Sequence, residues 1–199
     1  MRYHRTDVVE RAIEVLDTYG LADLSMRRLG QELGVQPSAL YHHFANKQSL
    51  LAAIADEILR RGTRPGAPGA PLAEGAWDER CATICHDLRD AMLAYRDGAE
   101  LVGTVMAFGL GATQPYDELA AALAGSGLPE ELRPIAVRTL LHFVLGHTLD
   151  EQTHLQAGSA GAIGDGPREG SDFGVGLGLI LDGIRSRSEH PRTTPAPPR

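Results

Sequence analysis

Residues Leu24 to Leu51, LSMRRLGQELGVQPSALYHHFANKQSLL, carry the start and stop signals of two short helices and of a third that follows. Ser25 is a good helix N-cap, able to accept a hydrogen bond from a free first-turn N–H. Behind it Met26, Leu29 and Leu33 repeat at helical spacing. Gly34 stands where a helix ends in a left-handed residue. Gln36-Pro37 opens the next segment, with proline in a first turn where its missing N–H costs nothing. Leu40 and Phe44 share one face of that segment. Ala45-Asn46 breaks it, and Asn46 can cap a longer helix through Leu50, Leu51, Ile54, Ala55, Ile58 and Leu59. A helix, a turn of about four residues and a second short helix form the helix-turn-helix pattern.

The rest of the chain has to be compatible with that unit. With 199 residues and 43% hydrophobic content it can bury a sizeable core. It has no apolar run of about twenty residues to span a bilayer, and MRYHRTDVVE has no apolar signal core. A cytoplasmic location is expected. Cys81 and Cys85 are four apart, on one face of a helix. A disulfide is not expected there, and two such cysteines do not make a usual metal pattern. The net charge is −7. Through Arg61, eight basic residues balance eight acidic ones, so the excess acid lies beyond. Arg2, Arg5, Arg27, Arg28 and Lys47, the only lysine, could form a cationic face, predicting few phosphate contacts and a modest salt slope.

A first helix is predicted from Thr6 or Asp7 to Tyr19, with Val9, Ala12, Ile13, Leu16 and Tyr19 as its apolar stripe and Gly20 as its end. The long helix from Lys47 reaches about Arg61. The glycine- and proline-rich run Gly62 to Gly75 marks a boundary. Domains are therefore placed at 1–61 and 62–190, with 191–199 a disordered tail. Further helices are predicted from Trp77 to about Arg96, over Leu119–Leu123, and over Glu130–Gln156 with Val137, Leu140, Leu141, Val144, Leu145 and Leu149 as its stripe. Arg96 to Ala99 is read as a cap and turn, and Gly158 to Gly170 as a mobile loop. A closing element covers Ser171 to about Ser188. Within it, Phe173 to Leu179 alternates with period two, which by itself reads as a strand.

The combination Arg27-Arg28, Gly34-Val35, Leu40-Tyr41-His42-His43-Phe44 and Asn46-Lys47 resembles the DNA-binding domain of the TetR family of transcriptional regulators. The resemblance implies an all-α protein: a three-helix helix-turn-helix domain, then a larger helical ligand-binding and dimerisation domain. It places DNA contacts at Arg27, whose fork could read a guanine or clamp a phosphate; the alternative is a solvated charge. Gln36, Pro37, Ser38 and Ala39 open the recognition helix, whose first residues meet base edges. Gln36 could pair with adenine or cap the helix, and Ala39 could touch a thymine methyl. Tyr41 and Lys47 resemble the family's phosphate-binding pair. His42 and His43 point about 100° apart, which disfavours shared metal ligation and leaves base or phosphate contact.

The second half resembles the tetracycline-repressor subgroup through Trp77, Tyr95-Arg96-Asp97-Gly98-Ala99, Gly103-Thr104, His142-Phe143, Gly146, Leu149 and Glu151-Gln152. Here the resemblance implies a homodimer through the last two long helices and a ligand pocket in the core. It also implies a helix for 173–184, since nothing else in the chain could supply a partner strand. In the subgroup a histidine before Gly-Thr helps to hold tetracycline as a magnesium chelate. Glu100-Leu101-Val102 stands there instead, and the subgroup's linker histidine is missing near Thr63. Tetracycline specificity and a bound metal or other cofactor are therefore not expected. His86, Thr104, Met106, Phe108, Leu141, His142 and His147 are candidates to line a site for a small hydrophobic or amphipathic ligand. A regulator that answers to a protein partner through the 158–170 loop is the alternative. No Ser-His-Asp, metal or phosphate-loop pattern supports an enzyme. Double-stranded operator DNA is the expected partner.

Overall fold

A computed structural model describes residues 3–62, 77–159, 161 and 171–190. The described residues contain helices and no strand. Helix α1 spans Arg5–Tyr19, α2 Met26–Leu33, α3 Pro37–Leu40 and α4 Lys47–Gly62. Their ends are set locally. Asp7 accepts the His4 N–H at 2.7 Å, starting α1 one turn earlier than its apolar stripe alone indicates. Ser25 Oγ accepts the Arg28 N–H at 3.1 Å. Gly34 closes α2 at φ 66°, and Asn46 Oδ1 accepts the Ser49 N–H at 2.8 Å to open α4. Leu16, Leu24, Leu29, Leu40, Phe44 and Leu50 close a small core among these helices. Tyr19, expected in that core, is exposed, and its ring instead carries the Arg28 guanidinium at 3.9 Å.

The larger domain contains α5 (Trp77–Leu93), α6 (Gly98–Ala107), α7 (Gln114–Ala124), α8 (Arg133–Ser159) and α9 (Phe173–Glu189). Helix α5 is central and packs against α4, α6, α7 and α8. Helix α6 occupies a stretch for which the sequence predicted only a turn at its start. Helix α7 extends the predicted Leu119–Leu123 segment at both ends, with Pro115 in its first turn. Glu130–Leu132 is a 3-10 turn, so α8 starts at Arg133. Residues 158 and 159 continue α8. The rest of the predicted 158–170 loop (apart from residue 161), the 63–75 boundary and the 191–199 tail lie outside the described residues. Cys81 and Cys85 are buried and unpaired by disulfide. Burial pushes the Cys81 thiol up to about 12 and raises Cys85 further, so both act as small apolar groups.

The 173–184 segment is helical. Its period-two glycines do not make a strand, because Phe173, Leu177, Leu181 and Ile184 line one helical face and are buried. Burying each contributes about 1.5–3 kcal/mol. The helix loses about 1 kcal/mol at each of Gly174, Gly176, Gly178 and Gly183. Burial wins. Gly176 is needed for fit, since a Cβ there would lie 2.8 Å from the Phe143 ring.

Helix α8 is apolar on two sides. Ala136, Val137, Leu140, Leu141, Val144 and Thr148 face the core. Ile135, Thr139, His142, Gly146 and Leu149 form an exposed stripe spaced three and four apart. Leu149 was predicted on the inner stripe; it belongs to the outer one. Val175 and Leu179 of α9 are each 70% exposed, and a 430 Å³ groove between α8 and α9 is lined by Ile135, Thr139, Leu179 and Ile180 among others.

Candidate nucleic-acid interface and its link to the core

Helix α3 is four residues long, and Leu40 anchors it with Phe44 just beyond. The neighbouring side chains are turned outward. Gln36, Ser38, Tyr41 and His42 are exposed, while Pro37, Ala39, His43 and Lys47 are half-buried. Gln36 occupies the N-cap position, but its side chain makes no capping hydrogen bond. Its amide is therefore free to meet a base edge. Arg27 is exposed on α2, on the side opposite Met26, Leu29 and Leu33.

Three features of this surface escaped the sequence reading. Tyr3 Oη donates to the Leu33 carbonyl at 3.0 Å, fixing the N-terminal arm on the turn before α3. The Arg5 guanidinium lies 4.7 Å from the centre of the Phe44 ring. Arg28, paired with Tyr19 and 3.5 Å from Glu32, is held apart from Arg27. The Tyr3–Leu33, Arg5–Phe44 and Arg28–Tyr19 contacts join residues nine or more apart, so no helical spacing signals them; only Arg28–Glu32 is a local i,i+4 pair.

The DNA-side helices are tied to the core at several points. Leu21 N donates to Asp97 Oδ2 at 2.7 Å, Arg96 N donates to Asp17 Oδ1 at 3.1 Å, and Arg96 Nη1 donates to the Thr18 carbonyl at 3.3 Å. Arg61 joins α4 to α1 through Glu10 and to the turn between α5 and α6 through Tyr95 Oη. Hydrogen bonds from Arg60 and Arg61 hold the Glu57 carboxyl down to about 2, against the raising effect of burial. Gly62 sits where a Cβ would lie 2.3 Å from that of Ala91, so α4 and α5 touch backbone to side chain. Gln152 of α8, buried, accepts the Ala99 N–H and donates to the Met92 and Tyr95 carbonyls.

Among the described residues, the seven predicted ligand residues are spread over α5, α6, the residue after α6, and α8. Leu141 is buried on the inner face of α8, and His142 points outward on the opposite face. Phe108 is 69% exposed beyond the end of α6, while Thr104 and Met106 are half-buried on it. His86 and His147 both meet the Phe173 ring in edge-type contacts, at ring distances of 5.0 and 5.2 Å. Phe143 stacks on the same ring at 5.3 Å, and Arg89 reaches it at 5.3 Å while gripping Glu151 with two hydrogen bonds. His147 Nε2 lies 2.9 Å from Asp172 Oδ1. The placement of side chains on interlocking helices, not their spacing in sequence, separates these groups. A 490 Å³ groove elsewhere, between Asp17 of α1, the α5 end and α8, is lined by none of the seven. The described residues contain no cluster of three metal-ligating side chains.

Residues 8–54 match the family model for bacterial regulatory proteins of the tetR family, and residues 70–169 match that for the tetracyclin repressor-like C-terminal domain. The chain belongs to the TetR family. It is 31% identical over 198 residues to the class A tetracycline repressor protein of Escherichia coli, covering 90% of this chain and 89% of the relative. Mycobacterium smegmatis BioQ is 42% identical, with a TM-score of 0.82 over 92% of this chain and 98% of BioQ. BioQ on its double-stranded DNA operator gives 0.78 at 41% identity, over 92% and 99% of the two chains. Streptomyces coelicolor ActR in complex with (S)-DNPA gives 0.75 at 27% identity, over 94% and 100%. This TetR-family chain is a DNA-binding transcriptional regulator and not an enzyme. No helix among its described residues is long and apolar enough to cross a membrane.

Proposed function

We propose that the protein is a homodimeric cytoplasmic repressor that binds a palindromic operator and is released by a small hydrophobic or amphipathic molecule. The observation that carries the DNA half is the outward-facing Gln36 to His43 segment on a buried Leu40–Phe44 anchor, with Gln36 free of capping duty. Arg27, Gln36, Pro37, Ser38 and Ala39 approach the base edges of the major groove, and Tyr41, His42, His43 and Lys47 approach phosphates. The Lys47 ammonium stands at a helix N-terminus, where the dipole disfavours a cation unless an anion is near. The exposed apolar stripe of α8, with Val175 and Leu179 of α9, supports pairing with a second copy.

Support for the ligand half comes from relatives that carry tetracycline in their names and from the ligand complex of ActR. Helix α6, which carries Thr104 and Met106, is flanked by contacts to the DNA-side residues, at Leu21 of the α1–α2 turn and at Asp56 of α4. A molecule that prefers one setting of α6 would shift operator affinity by that preference. The test is a gel shift on DNA from the protein's own upstream region, with wild type and a Lys47→Ala, Tyr41→Phe variant, followed by a ligand screen on the shifted complex. A shift that the double variant weakens supports the reading. Equal binding by both proteins refutes the assigned contacts. Sedimentation of Leu179→Asp should show monomers where wild type sediments as dimers; an unchanged dimer refutes the assigned interface.

A further inference from the structure

We infer that Asp56 is a positioning residue for operator binding: it fastens the loop after α6 to α4 and so fixes the angle of the DNA-binding helices against the core. The inference rests on the operator reading above.

Ala112 N donates to Asp56 Oδ1 at 2.8 Å, linking positions 56 residues apart. Ala112 is 1% exposed and stands at φ 58°, a left-handed conformation that alanine seldom adopts. Asp97, at φ 55°, is the other non-glycine with positive φ among the described residues. The two stand on either side of α6, and each is joined across the domain boundary by a carboxylate that accepts a backbone N–H. The polarity is reciprocal. At Asp97 the core supplies the carboxylate, and at Asp56 the DNA-side helix supplies it. Conformations of this kind persist where the surroundings enforce them, and they cluster at switch regions.

Gly111 completes the joint. A Cβ there would lie 3.2 and 3.4 Å from the two Asp56 oxygens and 3.5 Å from the Ala52 Cβ, so the loop backbone lies directly on α4. Asp56 does not act on DNA itself. It is nine residues beyond Lys47, about 14 Å along the helix, and its charge would repel phosphate. Its effect passes through α4, which carries Lys47 and follows the recognition segment. With the joint intact, the two recognition surfaces of a dimer are held at one spacing. With it cut, they sample many spacings, and binding must then order them at a cost in affinity.

The experiment is fluorescence anisotropy with the full-length protein on an operator selected from a random-sequence DNA pool. Wild type, Asp56→Ala, Asp56→Asn, Gly111→Val, Ala112→Gly and Arg27→Ala are titrated over a range of salt. Asp56→Ala should weaken binding at least about fivefold, the lower end of typical coupling between sites, with the slope of log affinity against log salt unchanged. Gly111→Val, which presses on the same carboxylate from the other side, should reproduce the loss if Asp56→Ala fails to fold. Asp56→Asn keeps an accepting oxygen, and Ala112→Gly keeps the N–H while relaxing φ; both should stay close to wild type. Wild-type affinity in both Asp56→Ala and Gly111→Val, with Arg27→Ala weakened, overturns the positioning role alone. A reduced salt slope in Asp56→Ala also overturns it, since that marks lost phosphate contacts. A wild type that selects no DNA overturns the operator reading and this inference together.

Discussion

Asp97 Oδ2 accepts the Leu21 N–H at 2.7 Å while its Oδ1 accepts the Gln156 amide at 2.9 Å. One carboxylate thereby joins the turn between α1 and α2, the start of α6 and the last turns of α8. Asp97 is also left-handed, a conformation that aspartate tolerates better than most residues.

Replacing Asp97 with alanine removes both acceptors and keeps the unfavourable backbone. The variant should lose about 1–3 kcal/mol of stability, the cost of stranding partly buried donors. Urea unfolding measures it, and a midpoint equal to wild type would show that the seam is held without this residue.

Gly62→Ala should also destabilise, by about 1–3 kcal/mol as for other overpacked contacts. Its new Cβ would meet Ala91 at 2.3 Å, and the Ala91 Cα at 3.1 Å leaves no flexible atom to give way. Alanine is otherwise the better helix former, so a rise in melting temperature would contradict the close approach of α4 and α5.

Acid should weaken the last turns of α4. The Glu57 carboxyl is held down to about 2, first by its hydrogen bond from Arg60. A lowered folded-state value contributes stability above the ordinary glutamate range, near 4.3, which is lost as pH falls towards 2. Glu57→Gln should be less stable than wild type at neutral pH and should flatten the decline between about pH 4.5 and 2. Parallel stability curves for the two proteins would exclude Glu57 as a source of that decline.

The DNA-side helices were legible in sequence because Ser25, Gly34 and Asn46 act within four residues of where they stand. Helix α6 was not, because its N-cap is a left-handed Asp97 held by Leu21, 76 residues away. The two faces of α8 were only half read. Periodicity finds an apolar stripe but does not separate an inner one from an outer one, so Leu149 was misplaced. The dispersal of His86, Phe108 and His142 has the same origin: helical spacing fixes where a side chain points on its own helix, and neighbouring helices decide what it meets.

Gln36 offers a direct test of base reading. With no capping bond to lose, Gln36→Ala should leave stability unchanged and relax the preference for one base pair in each half-site by about 1–3 kcal/mol. Binding-site selection with both proteins measures this. An identical selected sequence would assign Gln36 to solvent, and a loss of helix stability would restore its capping role.

The buried amide of Gln152 is fully engaged, with its oxygen on Ala99 and its nitrogen on the Met92 and Tyr95 carbonyls. A small slide or roll of α8 would break three hydrogen bonds to one side chain at once, two of them buried. One amide thus sets how far α8 can shift along α5 and the start of α6 before all three bonds are lost together.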